Sequence, residues 1–368
     1  MELDNLKPKT VKVLNLILKS ATANPEIRDI LPIEHIFARE VYFYETVLPT
    51  YNQLLEEHNQ QKLTSFPDML GYDLSIPEFL IMTDMKSQGY VMRPDRAEPL
   101  DFNHVKMVLK EYGRFHGLYY ALKALKPKLC KEISANMSEA FYNKMADDNP
   151  LLNSCMDVAN DRVMKSFHND ERDAEAMDKF EKYAKCAKLR LRDDLKDGAA
   201  GRFEVINHGD GWVNNMLFKY DNEELINLCL LDFQLSRLSS PALELSYFIY
   251  TCTDQVFRDE YFELSLKYYH ESMKNTLEVF SLDLSDFLTS EELNNQMQKF
   301  STFGLFMTIE VLHLMLSDTA EIPDYEVMME KDGLEDTLAA FSYESKNEDL
   351  YRKRIRSVVL DFVQRGYL

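Results

Sequence analysis

The chain has 368 residues, 45% hydrophobic and 28% charged, with 62 acidic against 42 basic residues for a formal charge of -20. That length suits one large domain or two unequal lobes, and that charge repels phosphate backbones and anionic headgroups, which argues against nucleic acid and membrane surfaces as partners. Five cysteines, an odd number without a C-x-x-C pair, argue against a disulfide framework or a zinc cluster and fit a reducing, cytoplasmic setting.

The start, MELDNLKPKTVKV, is too polar for a signal peptide. Residues 11–18 read VKVLNLIL, a strand pattern that Lys19 ends. Phe37, Val41, Tyr44 and Leu48 recur at helical spacing and predict a helix from Glu34 to His58, kinked at Pro49. Two short strands are expected at 69–73 and 77–83. Gly89, Pro94 and Pro99 mark the likeliest boundary, between Asp84 and Asp101.

Beyond it the chain turns mostly helical. Asn103–Leu125 carries a broad apolar face, and further helices are expected at 138–145, 152–167 and 173–195. A strand at Phe203–Asn207 runs into His208-Gly209-Asp210, and another at Leu225–Leu231 runs into Asp232-Phe233-Gln234. Helices are expected again at 258–280, 291–316, 326–341 and 348–363. The most apolar stretch, Phe303–Leu316, contains Glu310 and His313 and is too short for a bilayer span.

The segment His208-Gly209-Asp210-Gly211-Trp212-Val213-Asn214-Asn215 can place a carboxylate and a carboxamide around one metal-phosphate centre. A hairpin turning near Asp221-Asn222 brings Asp232 back beside Asn215. Phosphoryl transfer needs such a set: one carboxylate to accept the acceptor's proton, and a carboxylate with an amide oxygen to hold magnesium. Asp210 alone reads as a turn residue; the joint pattern reads as catalytic. Trp212, the only tryptophan, reads by itself as a hydrophobic plug between helices.

VINHGDGWVNNMLFKY, LCLLDFQLSR and PALELSYFIY, with FAREVYFYETVLP, FLIMTDM and YGRFHGLYYALK upstream, resemble the ecdysteroid kinase-like family of arthropods. That family is similar to the aminoglycoside and choline phosphotransferases, which share the protein kinase fold. The resemblance implies an α+β, protein kinase-like bilobal fold. A small, incomplete β-rich N-lobe with the hinge would span 1–90, and a large, mainly helical C-lobe 91–368. It implies Asp210 as catalytic base, with Asn215 and Asp232 as Mg2+ ligands. Lys19 and its partner Glu40 would serve the ATP phosphates, and Thr83, Asp84 and Met85 the adenine edge. Thr83 and Met85 depart from the family's usual Glu-Asp-Leu; backbone contacts survive that change. His208 is expected to pack the catalytic loop, Glu244 to accept hydrogen bonds from it, and His116 to be a satisfied buried histidine. Arg237 could bind phosphate or close a loop salt bridge.

All 11 glycines lie at or after Gly71, so no glycine-rich phosphate loop precedes Lys19, and a shortened N-lobe with an unpaired sheet edge is expected. The leading expectation is an ATP-dependent kinase for a small-molecule hydroxyl, with a steroid alcohol such as an ecdysteroid implied by the family. The alternatives are a catalytically impaired relative that binds a lipophilic ligand or a protein, and a metal-dependent phosphohydrolase. Phe262, Tyr268, Tyr269, Phe303, Phe306 and Tyr325 could line a sterol-sized pocket, though most should be ordinary core.

Overall fold

The computed structural model describes residues 13–93, 95–146, 149–168 and 170–368. The small lobe contains β1 (Leu16–Ser20), α1 (Pro25–Ile30), α2 (Ile33–Tyr42), a π-helical turn (Phe43–Val47), α3 (Leu48–Glu57), β2 (Met69–Asp73) and β3 (Phe79–Thr83). Its sheet is antiparallel with order β1-β3-β2. The expected strand at 11–18 begins later, at Leu16, and residues 11 and 12 lie outside the described residues. The expected kink at Pro49 takes the form of the π turn. Proline has no N–H for the preceding turn, so the helix widens over Phe43–Val47 and restarts with Pro49 in the first turn of α3.

The large lobe begins with β4 (Tyr90–Val91) and the long α4 (Phe102–Leu125), capped by the Asp101 carboxylate. Next come α5 (Pro127–Ser134), α6 (Phe141–Ala146), α7 (Pro150–Met164), α8 (Glu171–Ala184) and α9 (Ala187–Leu195). Then β5 (Val205–Asn207), β6 (Met216–Asp221), β7 (Glu224–Leu230) and β8 (Arg237–Ser239) surround the two acidic motifs. The chain closes with α10 (Pro241–Cys252), α11 (Gln255–Val279), α12 (Ser290–Phe300), α13 (Thr302–Leu316), α14 (Tyr325–Ala339) and α15 (Glu348–Gln364).

Three helices expected as single rods are broken. Residues 173–195 divide at Lys185-Cys186, 291–316 bends by 54° between α12 and α13, and 326–341 kinks within α14 at Gly333, with φ +81°. The second break serves packing: Gly304 lets α13 press on α10, where a Cβ would stand 2.5 Å from the carbonyl carbon of Ser246. α4 likewise meets α11 through Gly113, where a Cβ would stand 2.5 Å from Tyr269 O. Among the described residues no single helix is long and apolar enough to cross a membrane.

Candidate active site

β1 and β3 pair with Lys19 opposite Leu80 and Ile17 opposite Met82. Opposed residues share a face, and Leu80 is fully buried, so Lys19 points inward and Leu18 outward, 65% exposed. The Lys19 Nζ donates to Glu40 Oε2 at 2.6 Å and to Asp232 Oδ1 at 2.8 Å. The expected pairing with Glu40 is present, and Asp232 joins it. Burial alone would lower the Lys19 ammonium, but Glu40 and Asp232 outweigh it and hold its pKa above the ordinary value. Burial pushes the Glu40 carboxyl up, to about 7, against the pull of Lys19.

The loop around Asp210 is fixed on every side. Gly209 has φ +89°, and a Cβ there would lie 2.0 Å from Leu235 O, so only glycine fits. The backbone N–H of His208 donates to Glu244 Oε1 at 2.8 Å, and Glu244 Oε2 lies 2.7 Å from His116 Nε2. The other ring nitrogen of His116 meets Tyr269 Oη at 2.8 Å. His208 itself joins the two motifs: its Nε2 donates to Leu231 O at 2.8 Å, and its Nδ1 accepts from the Asp210 N–H at 3.2 Å. These contacts assign the tautomer and make His208 a brace. Arg237 is buried, donating to Glu139 Oε2 at 2.5 Å and Gly209 O at 2.9 Å. Of the two roles open to Arg237, the structure selects the salt bridge.

Asp210 Oδ1 accepts from Tyr247 Oη at 2.8 Å, and its Oδ2 from Asn215 Nδ2 at 2.8 Å and Trp212 Nε1 at 3.3 Å. Burial, then the nearby Asp232 charge, push the Asp210 carboxyl above the ordinary carboxylate range; Tyr247 and Asn215 pull it back. Trp212 packs against the core, as its sequence reading has it, and its indole N–H also touches the Asp210 carboxylate. Sequence reading missed Tyr247, and nothing in the spacing of PALELSYF singled it out.

The turn between β6 and β7 has Asn222 and Glu223 at φ +47° and +69°, the left-handed pair that a tight hairpin requires. It sets Met216 opposite Leu230, and the Leu231 N–H donates to Asn215 O at 2.9 Å, bringing Asn215 beside Asp232. Asp232 sits at φ +68°, a conformation costly for a non-glycine residue. Phe233 anchors it by stacking on Phe43 of the π turn, centroids 3.7 Å apart, and by packing on His208 at 4.2 Å.

A cleft of about 410 Å³ opens between the lobes, lined by Lys19, Glu40, Thr83, Met85, Asn215 and Asp232, with Asp84 at its rim. The Asp84 N–H is spent on Asn15 O at 3.0 Å, and its carboxylate caps the following turn by accepting from Lys86 N at 2.9 Å. The cleft therefore gathers the residues expected for ATP and Mg2+, with Asp210 behind Asn215. Among the described residues no cluster of three or more His, Cys, Asp or Glu forms a metal site. The donor set still suits Mg2+, which is bound through one or two carboxylates while phosphate and water supply the rest. Asp210 holds the Asn215 amide N–H groups, so the Asn215 Oδ1 is the end left for a cation.

A small sheet with α1, α2 and α3 over a larger helical lobe, with a Lys–Glu pair facing an Asp–Asn–Asp centre, defines a bilobal kinase-like protein. More particularly, the chain belongs to the ecdysteroid kinase-like family, whose sequence profile matches residues 2–282. No curated protein matches it. Among solved structures it is similar to an ethanolamine kinase of Plasmodium vivax, at 13% identity and a TM-score of 0.42, over 96% of this chain and 77% of that one.

Proposed function

We propose that this chain is an ATP- and Mg2+-dependent phosphotransferase acting on a hydroxyl of a small molecule, with a steroid alcohol of the ecdysteroid kind as first candidate. The observation that carries it is the hydrogen-bonded Asp210, set beside an Asp232 that Lys19 and Glu40 hold from the other lobe. Asp210 takes the proton of the acceptor hydroxyl at a carboxylate oxygen; Tyr247 and Asn215 fix its rotamer. Its raised pKa suits a base, because proton transfer is more favourable to a stronger one. Lys19 offers its ammonium to the nucleotide phosphates, and Glu40 keeps it extended into the cleft. Asp232 and Asn215 Oδ1 would hold the Mg2+, which supplies charge neutralisation at the transferring phosphoryl group. The adenine edge would meet backbone groups near Thr83 and Met85. Free cysteines, three of them buried, suit a reducing compartment, and a cytoplasmic site belongs to this reading.

One observation favours a second reading, a catalytically impaired member that binds a lipophilic ligand or a protein. Among the described residues β1 is an edge strand, with Leu16, Ile17 and Leu18 at 44%, 48% and 65% exposure beside the cleft. Calorimetric titration with Mg-ATP, followed by phosphorylation assays on steroid alcohols and amino alcohols, separates the two. Saturable Mg-ATP binding with phosphate transfer to a hydroxyl supports the kinase; no Mg-ATP binding selects the impaired member.

A further inference from the structure

The large lobe holds a second cavity, of about 120 Å³, walled by α7, α13, α14 and the segment after α14. Val158, Ile309 and Leu314 line it with aliphatic groups, and Tyr325, Phe341 and Tyr343 supply aromatic walls. Into it faces Glu310 of α13. Among the described residues Glu310 makes no hydrogen bond and no ion pair. Burial pushes its carboxyl up to about 8, and Arg162 is the one group opposing that shift. Arg162 lines the cavity too, its Nη2 donating to the carbonyls of Phe341 and Tyr343 at 2.8 Å each.

The other polar groups on the wall offer little. Burial pushes the Cys155 thiol up to about 12, so it is no nucleophile. Burial and Arg162 hold His313 down, at about 4, so it is neutral at physiological pH. Glu310 is half-buried, and its carboxylate offers a hydrogen-bond donor entering the cavity an acceptor that no described side chain occupies. Arg162 already balances the charge that Glu310 can carry, so an uncharged donor fits better than a cation. Size narrows the guest further, since a cavity of roughly 150 Å³ holds one benzene ring.

Position separates this cavity from the transfer cleft. Phe303, Met307 and Glu310 fall on one face of α13, since seven residues make two turns. Phe303 adjoins Tyr247, the partner of Asp210, and Met307 Sδ accepts from Tyr142 Oη at 3.0 Å. The cavity and the cleft share no lining residue. We propose that this cavity binds one uncharged six-membered ring carrying a hydroxyl, a phenol or cyclic alcohol, whose O–H donates to Glu310.

The test uses the full chain and two probes of one shape, phenol and toluene, followed by ligand-observed NMR titration. Wild type should bind phenol about tenfold more tightly than toluene, the value of one hydrogen bond. Glu310→Leu should weaken phenol about tenfold and remove the preference. Glu310→Gln, which keeps an acceptor, should retain it. Leu314→Trp, which fills the cavity, should lose both probes, whereas Asp210→Asn should bind both as wild type does. No saturable phenol binding, equal binding of the probes by wild type, or phenol binding that survives Glu310→Leu or Leu314→Trp overturns the proposal. None of these outcomes depends on phosphoryl transfer.

Discussion

Asp210 carries the chemistry of the proposed reaction, and its neighbours carry its orientation. Asp210→Asn should lower turnover at least about a hundredfold, the usual worth of a general base, with Mg-ATP affinity within a few-fold of wild type. Tyr247→Phe removes one of the two strongest hydrogen bonds to that carboxylate and should lower turnover less; calorimetry and steady-state rates together check both. Near-normal turnover in Asp210→Asn removes the base assignment. Lys19 and Glu40 touch at 2.6 Å, so their removal should be non-additive in Mg-ATP affinity. A double-mutant cycle that closes with zero coupling would show that the pair does not position phosphate. Glu310 gives a pH signature. Its folded pKa, about 8, lies above its ordinary value of 4.5, so the folded state binds the extra proton in that window. The stability this contributes is complete below about 4.5 and lost as pH rises through about 8. The melting temperature of wild type should therefore fall more between pH 6 and 9 than that of Glu310→Gln.

At the scale of elements, glycine sets how closely helices approach. Gly113 and Gly117 share one face of α4 and meet the backbone and Thr276 of α11. Gly113→Ala has no room for its Cβ without moving the backbone of Tyr269. It should destabilise the fold by about 1–3 kcal/mol, read by urea unfolding. This contact was hidden in the sequence, where YGRFHG reads only as a helix with two weak positions. The apolar face of that helix was legible, because its period is local. The breaks at Lys185 and Ser301 were not. The pattern continues across both, and the bend into α13 answers to the surface of α10 far away in the chain.

At the scale of the whole molecule, Arg39 and Phe43 help bind α2 and the π turn to the large lobe. Arg39 is 5% exposed and donates to Ser236 O at 2.9 Å and Ser138 O at 2.7 Å. Phe43 stacks on Phe233, so the helix that presents Glu40 also holds the loop that presents Asp232. Arg39→Ala leaves buried carbonyls unpaired and should cost about 2–4 kcal/mol of stability. It should also weaken Mg-ATP, since Glu40 and Asp232 lose their common support. Hydrogen exchange should then show faster opening of α2 and of the 232–236 loop together. Loss of stability with unchanged exchange in that loop would mean the lobes are held elsewhere.

By itself the sequence determined the parts: the acidic motifs, the strands that carry them, the Lys19 strand, the Glu40 helix and the acidic surface. These depend on residue type and short spacing, where local sterics and hydrophobic period decide the outcome. Tertiary structure alone decided which side chains those parts meet. It turned the Trp212 indole onto Asp210, brought Tyr247 to the same carboxylate and buried Arg237 against Glu139 rather than leaving it to phosphate. It also left Glu310 on the wall of a cavity, without a partner among the described residues. Such contacts join residues tens to hundreds of positions apart. Their energies come from burial and hydrogen bonding that exist only after the chain has closed on itself, so no local pattern can announce them.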